Sequence, residues 1–335
     1  MARSGVDVRP LDYGLKDLIK ALVKPVDLLH VHWFERAFWG SSKSVVVYQV
    51  LLASLIAAAV KARGGKVVWT VHDPSPHRSP LNRRLFEGGI GWLWRIYQKF
   101  MVQKVDGIFL MSAGHKQLVT KAYPALRDVP STLVRHPHYL GQYPDTVSKQ
   151  AARKKLGIRQ DAIVFAFVGS LRVYKNPDGL MRAFSQLPGD TVLLVAGASE
   201  TQEQGETLRR LADCDQRIIL HDCFVGDHEL QLWLRSADVS VLPYRRVTNS
   251  GSAHLALSFD VPVLVPDEVV FEELEELVGD RWIKRFSGEL SATHLADAIA
   301  WSREARTRPD LSALGWDGIA EQTVRFYRSL LRVAY

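Results

Sequence analysis

The chain of 335 residues holds two cysteines, Cys214 and Cys223. That is too few for a disulfide framework or a zinc cluster, so a reducing compartment is expected, with both thiols read as small core residues. No acidic cluster suited to a metal stands out, and none is expected. Long apolar runs are also scarce. The most apolar stretch, Val45 to Val60, falls short of the ~20 residues of a membrane span and is interrupted by Tyr48, Gln49 and Ser54. It reads as a buried helix that Gly64-Gly65 stops. The opening MARSGVDVRPL lacks an apolar core of signal-peptide length. No basic tail or low-complexity arm concentrates charge.

What is present is an ordinary soluble composition, 47% apolar and 24% charged, in a chain long enough for two domains. The net charge of +7 invites an anionic partner: nucleic acid, a phosphate-bearing substrate or anionic lipid. The basic residues are spread along the chain without a nucleic-acid-binding motif, so no nucleic acid partner is expected.

Short apolar runs alternate with amphipathic segments. Strands are predicted at 27–33, 66–73, 105–112, 131–137, 162–169, 191–197, 217–223 and 239–244, and at VPVLVP. Helices are predicted at 43–62, 83–104, 115–123, 177–187, 201–213 and 227–237. The alternation predicts an α/β protein with parallel sheets. A polar stretch at 141–152, with Gly141 and Pro144, reads as a linker. Two Rossmann-like domains facing across a cleft are expected, 1–145 and 150–317, with ligands beyond the carboxyl ends of the strands. A helix over 318–335 follows, its apolar face made by Ile319, Val324, Tyr327, Leu330 and Leu331. The front enters mid-motif: ARSGVDVRPL reads as a helix end, a Gly5 cap and a strand. The N-terminal sheet is therefore expected to lack its usual first strand and Gly-rich loop.

Two strand-to-helix loops carry the chemistry. In FVGSLRVYKNPDG the strand ends at Gly169, where a ligand can approach the backbone next to Ser170. Arg172 offers a planar fork and Lys175 a point charge to phosphate oxygens. Pro177 suits the first position of the next helix. In LPYRRVTNSGSAHLALSFDVPVLVP the small residues Asn249, Ser250, Gly251 and Ser252 stand at a helix mouth, where free N–H groups and the dipole favour an anion. An ordinary N-cap explains one of those residues. Phe224 and Tyr244 are placed beside them as donor-facing.

On these motifs the chain resembles the glycosyltransferases of GT-B fold over nearly its whole length. In the large retaining branch the phosphate loop reads Gly-Arg-Leu-x-x-x-Lys-Gly; here it is Gly169-Ser170-Leu171-Arg172-Val173-Tyr174-Lys175-Asn176. The lysine matches and the arginine has moved. That branch also carries two glutamates before its Gly-x-Pro-Val strand, where this chain has Val247 and Leu255. The pattern is more similar to bacterial exopolysaccharide enzymes, including xanthan-type β-mannosyltransferases. The resemblance implies donor binding by the second domain, acceptor binding by the first, and a tail helix that crosses back to the first. It implies a nucleoside diphosphate sugar as co-substrate with no resident cofactor, and a carbohydrate acceptor, lipid-linked in such systems.

In the first domain, HVHWFER and TVHDPSPH follow apolar strands. An inverting transfer needs a base for the acceptor hydroxyl. Asp73, His72 and Glu35 are the candidates, with His32, His77 and His136 on the acceptor side and His138 beside His136. Asp73 and Ser75 forming only a turn before Pro76 is the competing reading. The basic, aromatic segment 81–100 suits an anionic membrane surface through Arg83, Arg84, Arg95, Lys99 and their aromatic neighbours. The alternative there is a packed helix. The expected location is cytoplasmic, or peripheral at the cytoplasmic face of a membrane. Other readings are a nucleotide-sugar epimerase of the same fold, and a non-catalytic or basic nucleic-acid-binding protein.

Overall fold

The computed structural model describes residues 5–11, 14–39, 42–73, 91–304 and 306–332. The chain forms two compact units, residues 1–135 with 316–335, and residues 136–315.

In the first unit, α1 (Leu15–Val23) leads into β1 (Leu28–Val31), α2 (Lys43–Ala62), β2 (Lys66–Thr70), α3 (Gly91–Lys104), β3 (Gly107–Leu110), α4 (His115–Ala122) and β4 (Ser131–Leu133). The strands pair in parallel in the order β1-β2-β3-β4. Because spatial order follows chain order, right-handed crossovers place successive helices on one face. The packing agrees: Val50 and Ile56 of α2, Met101 of α3 and Val119 of α4 share one core with Val67 and Ile108. The other face is covered by α12 (Trp316–Leu331), whose Tyr327, Phe326 and Leu330 meet Val68 and Phe109. A Cβ at Gly107 would lie 2.6 Å from a methyl of Leu330, so only glycine admits that helix so close.

The second unit runs α5 (Lys149–Lys155), β5 (Ile163–Val168), α6 (Pro177–Ser185), β6 (Thr191–Ala196), α7 (Gln202–Asp213), β7 (Ile218–His221), α8 (Asp227–Ser236), β8 (Val239–Val241), α9 (Gly251–Ser258), β9 (Val263–Pro266), α10 (Val269–Val278), β10 (Ile283–Phe286) and α11 (Ala292–Ser302). Its six parallel strands stand in the order β10-β9-β8-β5-β6-β7. The chain leaves β5 towards β6 and returns on the other side at β8. The carboxyl ends of β5 and β8 therefore flank the point where strand order reverses, the usual ligand position in open α/β sheets.

Some expectations differ from the structure. Residues 6–11 form no strand, and the described part of the first sheet begins at Leu28. α1, with Leu15, Leu18, Ile19 and Leu22, takes the place of the expected early strand. The predicted linker already contains the first turn of α5, capped by the Ser148 side chain, which accepts from Ala151 N–H. Both cysteines are exposed rather than core. Cys214 caps the end of α7, and Cys223 lies 2.9 Å from His221 Nε2. α2 is only half buried, since its outer row faces solvent.

Candidate functional site

At the end of β5 the chain turns away from the sheet at Gly169, whose φ of +134° suits glycine. Its neighbour Gly197 follows β6 with φ +151°, and a Cβ there would fall 1.9 Å from the Gly169 carbonyl oxygen. The two strand ends thus pass too closely for any side chain. Beyond Gly169, a single 3-10 turn over Val173–Lys175 and the left-handed Asn176 (φ +58°) deliver Pro177 to the first turn of α6.

The second loop meets this one. Arg245 N–H donates to the Tyr174 carbonyl at 2.9 Å. Ser252 Oγ and Lys175 Nζ lie 3.1 and 3.6 Å from where a Gly169 Cβ would be. Lys175 Nζ also donates to Ser170 Oγ at 3.3 Å and sits 5.6 Å from the centroid of the Tyr244 ring. Burial, with Arg172 adding like charge, pulls the Lys175 pKa down to about 8. Tyr244 is fully enclosed, which pushes its hydroxyl up to about 12, although bonds to Ser252 and Ser250 pull the other way. Ser250 is the N-cap of α9, accepting from Ala253 N–H at 3.2 Å. Arg172 and Ser170 are exposed beside this cluster, Asn249 is half-buried and Phe224 is largely exposed.

Gly251 turns elsewhere. Its Cβ position lies 3.1 Å from Tyr139 Oη and 3.4 Å from His136 Nε2. His136 therefore belongs to the second unit, alongside α9. Its Nδ1 is 2.8 Å from the Pro137 carbonyl, and its ring lies 5.0 Å from that of His254. Sequence reasoning missed His254, whose one signal was a lone histidine in an apolar helix. Burial, then His136 and His138, lower its pKa to about 3, and its Nδ1 has no hydrogen-bond partner. His138 N–H donates to the Leu314 carbonyl and its Nδ1 accepts from Leu140 N–H.

In the first unit a histidine cluster follows β1 and β2. His32 Nδ1 and His72 Nε2 are 3.1 Å apart, and Trp33 stacks on His72 at 4.2 Å. Beneath them lies His30, also missed from sequence. Its Nδ1 is 2.5 Å from the Tyr327 hydroxyl of α12 and its Nε2 is 2.7 Å from Thr70 Oγ1. Its ring stacks on His32 at 4.4 Å. Burial, then His32 and His72, depress the His30 pKa to about 3, so this imidazole stays neutral at working pH. Desolvation also lowers His32. Glu35 sits in the 3-10 turn Phe34–Phe38, and both it and Asp73 reinforce the upward pKa shift that burial imposes on Tyr123. His77, Arg83 and Arg84 lie outside the described residues.

No cluster of three or more potential metal ligands occurs among the described residues. A cavity of about 310 Å³, lined by Lys149, Asp238, Asp260, Trp282, Arg306 and Arg308, lies at the opposite edge of the second sheet, by the amino ends of β8 to β10. Asp238 there is bound to Arg153 and Lys149. We read it as packing around α5, because ligands in such sheets sit at the other edge.

Two strand-to-helix loops converging on a lysine and an open helix mouth define a class. Residues 148–305 match the family Glycosyl transferases group 1, and the chain is a glycosyltransferase of GT-B fold with that domain in its second unit. Over 327 residues it is 25% identical to the GDP-mannose:glycolipid 4-beta-D-mannosyltransferase of Xanthomonas campestris pv. campestris, covering 97% of this chain and 85% of that one. Among solved structures, sucrose-phosphate synthase from Thermosynechococcus elongatus superposes with a TM-score of 0.62 at 18% identity, covering 92% of this chain and 74% of that one. HepE of Anabaena, in complex with UDP-glucose, does so at 0.63 and 14% identity, covering 89% and 79%. At these identities the structural likenesses bear on the fold.

Proposed function

We propose that the protein moves mannose from GDP-mannose to a lipid-linked carbohydrate acceptor, with inversion at the anomeric carbon. The second unit holds the donor and the first unit the acceptor. The observation that carries the donor half is the convergence of Lys175, Ser252 and Tyr244 around Gly169 at the switch point of the sheet. As the glycosidic bond breaks, its electron pair goes to the leaving diphosphate. Lys175, Arg172 and the first N–H groups of α9 stabilise that charge, the kind of preorganised contact that favours the transition state. Neither loop needs a metal to do so. The likeness to a 4-beta-D-mannosyltransferase supports mannose and a glycolipid acceptor. A β-linked product from an α-linked donor requires one in-line displacement, and hence a base for the acceptor hydroxyl. In the first unit the groups of suitable chemistry are Asp73, the His32–His72 pair and Glu35.

The test has two parts. Calorimetry against GDP, UDP, ADP and dTDP should give the tightest binding with GDP. Incubation of GDP-mannose with a polyprenyl-diphosphate oligosaccharide should then yield a β-mannosylated lipid. Tightest binding of another nucleotide would overturn the donor assignment. A product formed without acceptor would favour epimerisation.

A further inference from the structure

The outer face of the helical layer in the first unit is apolar where a soluble α/β protein is normally polar. α1 packs beside α2, and α2 beside α3, on one side of the sheet. α2 is 20 residues long with a mean hydropathy of 2.0 over its most apolar window. Its inner row, including Val46, Val50, Ile56 and Val60, is locked in the core. Its outer row of Tyr48, Leu51 and Leu55 is more than half exposed. The flanking helices extend this row with Leu15 and Ile19 on α1 and Trp92 and Ile96 on α3, each again more than half exposed. An exposed apolar surface spanning three adjacent helices exceeds the scattered residues a monomer normally shows and marks an interaction face.

Charge selects the occupant. Exposed Lys16, Lys20, Lys43, Arg95 and Lys99 stand on these same helices, and the one acid among their residues, Asp17, lies 3.6 Å from Lys20. Long cationic side chains beside apolar ones can bury their stems while their heads meet phosphate. The core row of α2 cannot leave the sheet without exposing itself, so the helix does not span a bilayer. Only its outer row is available, which suits the shallow depth of an interfacial helix.

We propose that α1, α2 and α3 together form a docking face for an anionic lipid surface. The face differs from that expected from sequence: in α3, Tyr97 is buried and Trp94 packs on Phe38, leaving Trp92 and Ile96 outward with Arg95 and Lys99. The inference does not rest on the donor reading, because every residue in it lies in the first unit.

The experiment is co-sedimentation of the full chain with vesicles of phosphatidylcholine alone or mixed with phosphatidylglycerol, at low and high salt. Binding should require phosphatidylglycerol and weaken with salt. Each cation facing the surface changes the partition coefficient about fivefold, so K16E should lower it at least that much. The pair L51E and L55E should lower it about tenfold or more, with melting temperature, sedimentation mass and GDP affinity at parental values. Should that pair fail to fold, I19S and W92S on the neighbouring helices read the same face. Unchanged vesicle binding in the folded variants overturns the proposal, as does an absence of binding by the parent. A parental dimer that these substitutions split also overturns it, by assigning the face to a second copy of the chain.

Discussion

The donor assignment proposed for Lys175 makes a prediction about pH. The Lys175 pKa of about 8 reflects burial and the nearby Arg172. An entering diphosphate favours the ammonium form, so the liganded pKa must exceed the free one. Affinity for GDP should then be level below about pH 8 and fall by up to tenfold per pH unit above it, with proton uptake on binding near that pH. Calorimetry in buffers of differing ionisation heat measures both; flat affinity through pH ~9.5 without uptake would remove Lys175 from the site. His254 makes the opposite kind of prediction, one about stability. Its folded pKa of about 3 lies below its ordinary 6.5, so in that window the unfolded chain binds the extra proton. Stability contributed by the neutral ring is full above 6.5 and is lost as pH falls towards 3, by at most about 1.4 kcal/mol per pH unit. Urea midpoints at pH ~7 and ~5 should therefore converge in H254Q relative to the parent. An equal acid loss in both proteins would mean that His254 is charged when folded.

At the scale of elements, α12 contributes a hydroxyl as well as an apolar face. The Tyr327–His30–Thr70 chain fixes the ring on which His32 stacks. Y327F keeps the ring against Phe109 but leaves a buried imidazole nitrogen without its partner, a loss of about 1–3 kcal/mol. Chemical denaturation should show that loss; an unchanged midpoint would mean water replaces the hydroxyl. The stretch from Leu242 to Pro266 was legible as strand, polar loop, helix and strand because its apolar runs are short and its small residues are gathered at one point. α1 was not, because VDVRPL before it reads as a strand and claims the same apolar supply. α10, with VVFEELEELV, and α11 lie beyond the segments predicted from the sequence, although Val270, Phe271, Leu274, Leu277 and Val278 of α10 recur at helical spacing. Nor does spacing disclose what a glycine faces. Gly251 stands among the small residues of the helix mouth, yet Tyr139 Oη and His136 lie over it, so a larger residue there reports packing within the second unit.

At the scale of the whole molecule, alternation of apolar runs and amphipathic segments made two parallel sheets readable. Strand order was not readable, since β8 lies beside β5 only through contacts distant in the chain. That neighbourhood brings the Lys175 loop to the Ser250–Ser252 loop, and with it the central claim that both clasp the donor diphosphate. The direct measurement is mannose transfer by K175A, with S148A as a control for an ordinary helix cap far from both loops. S148A should lose about 1 kcal/mol of stability and keep its transfer rate. K175A should melt near the parent and lose ~10²–10³ in turnover, as expected for removal of a preorganised contact to a developing anion. A K175A protein that melts near the parent and transfers sugar at the parental rate would contradict the claim.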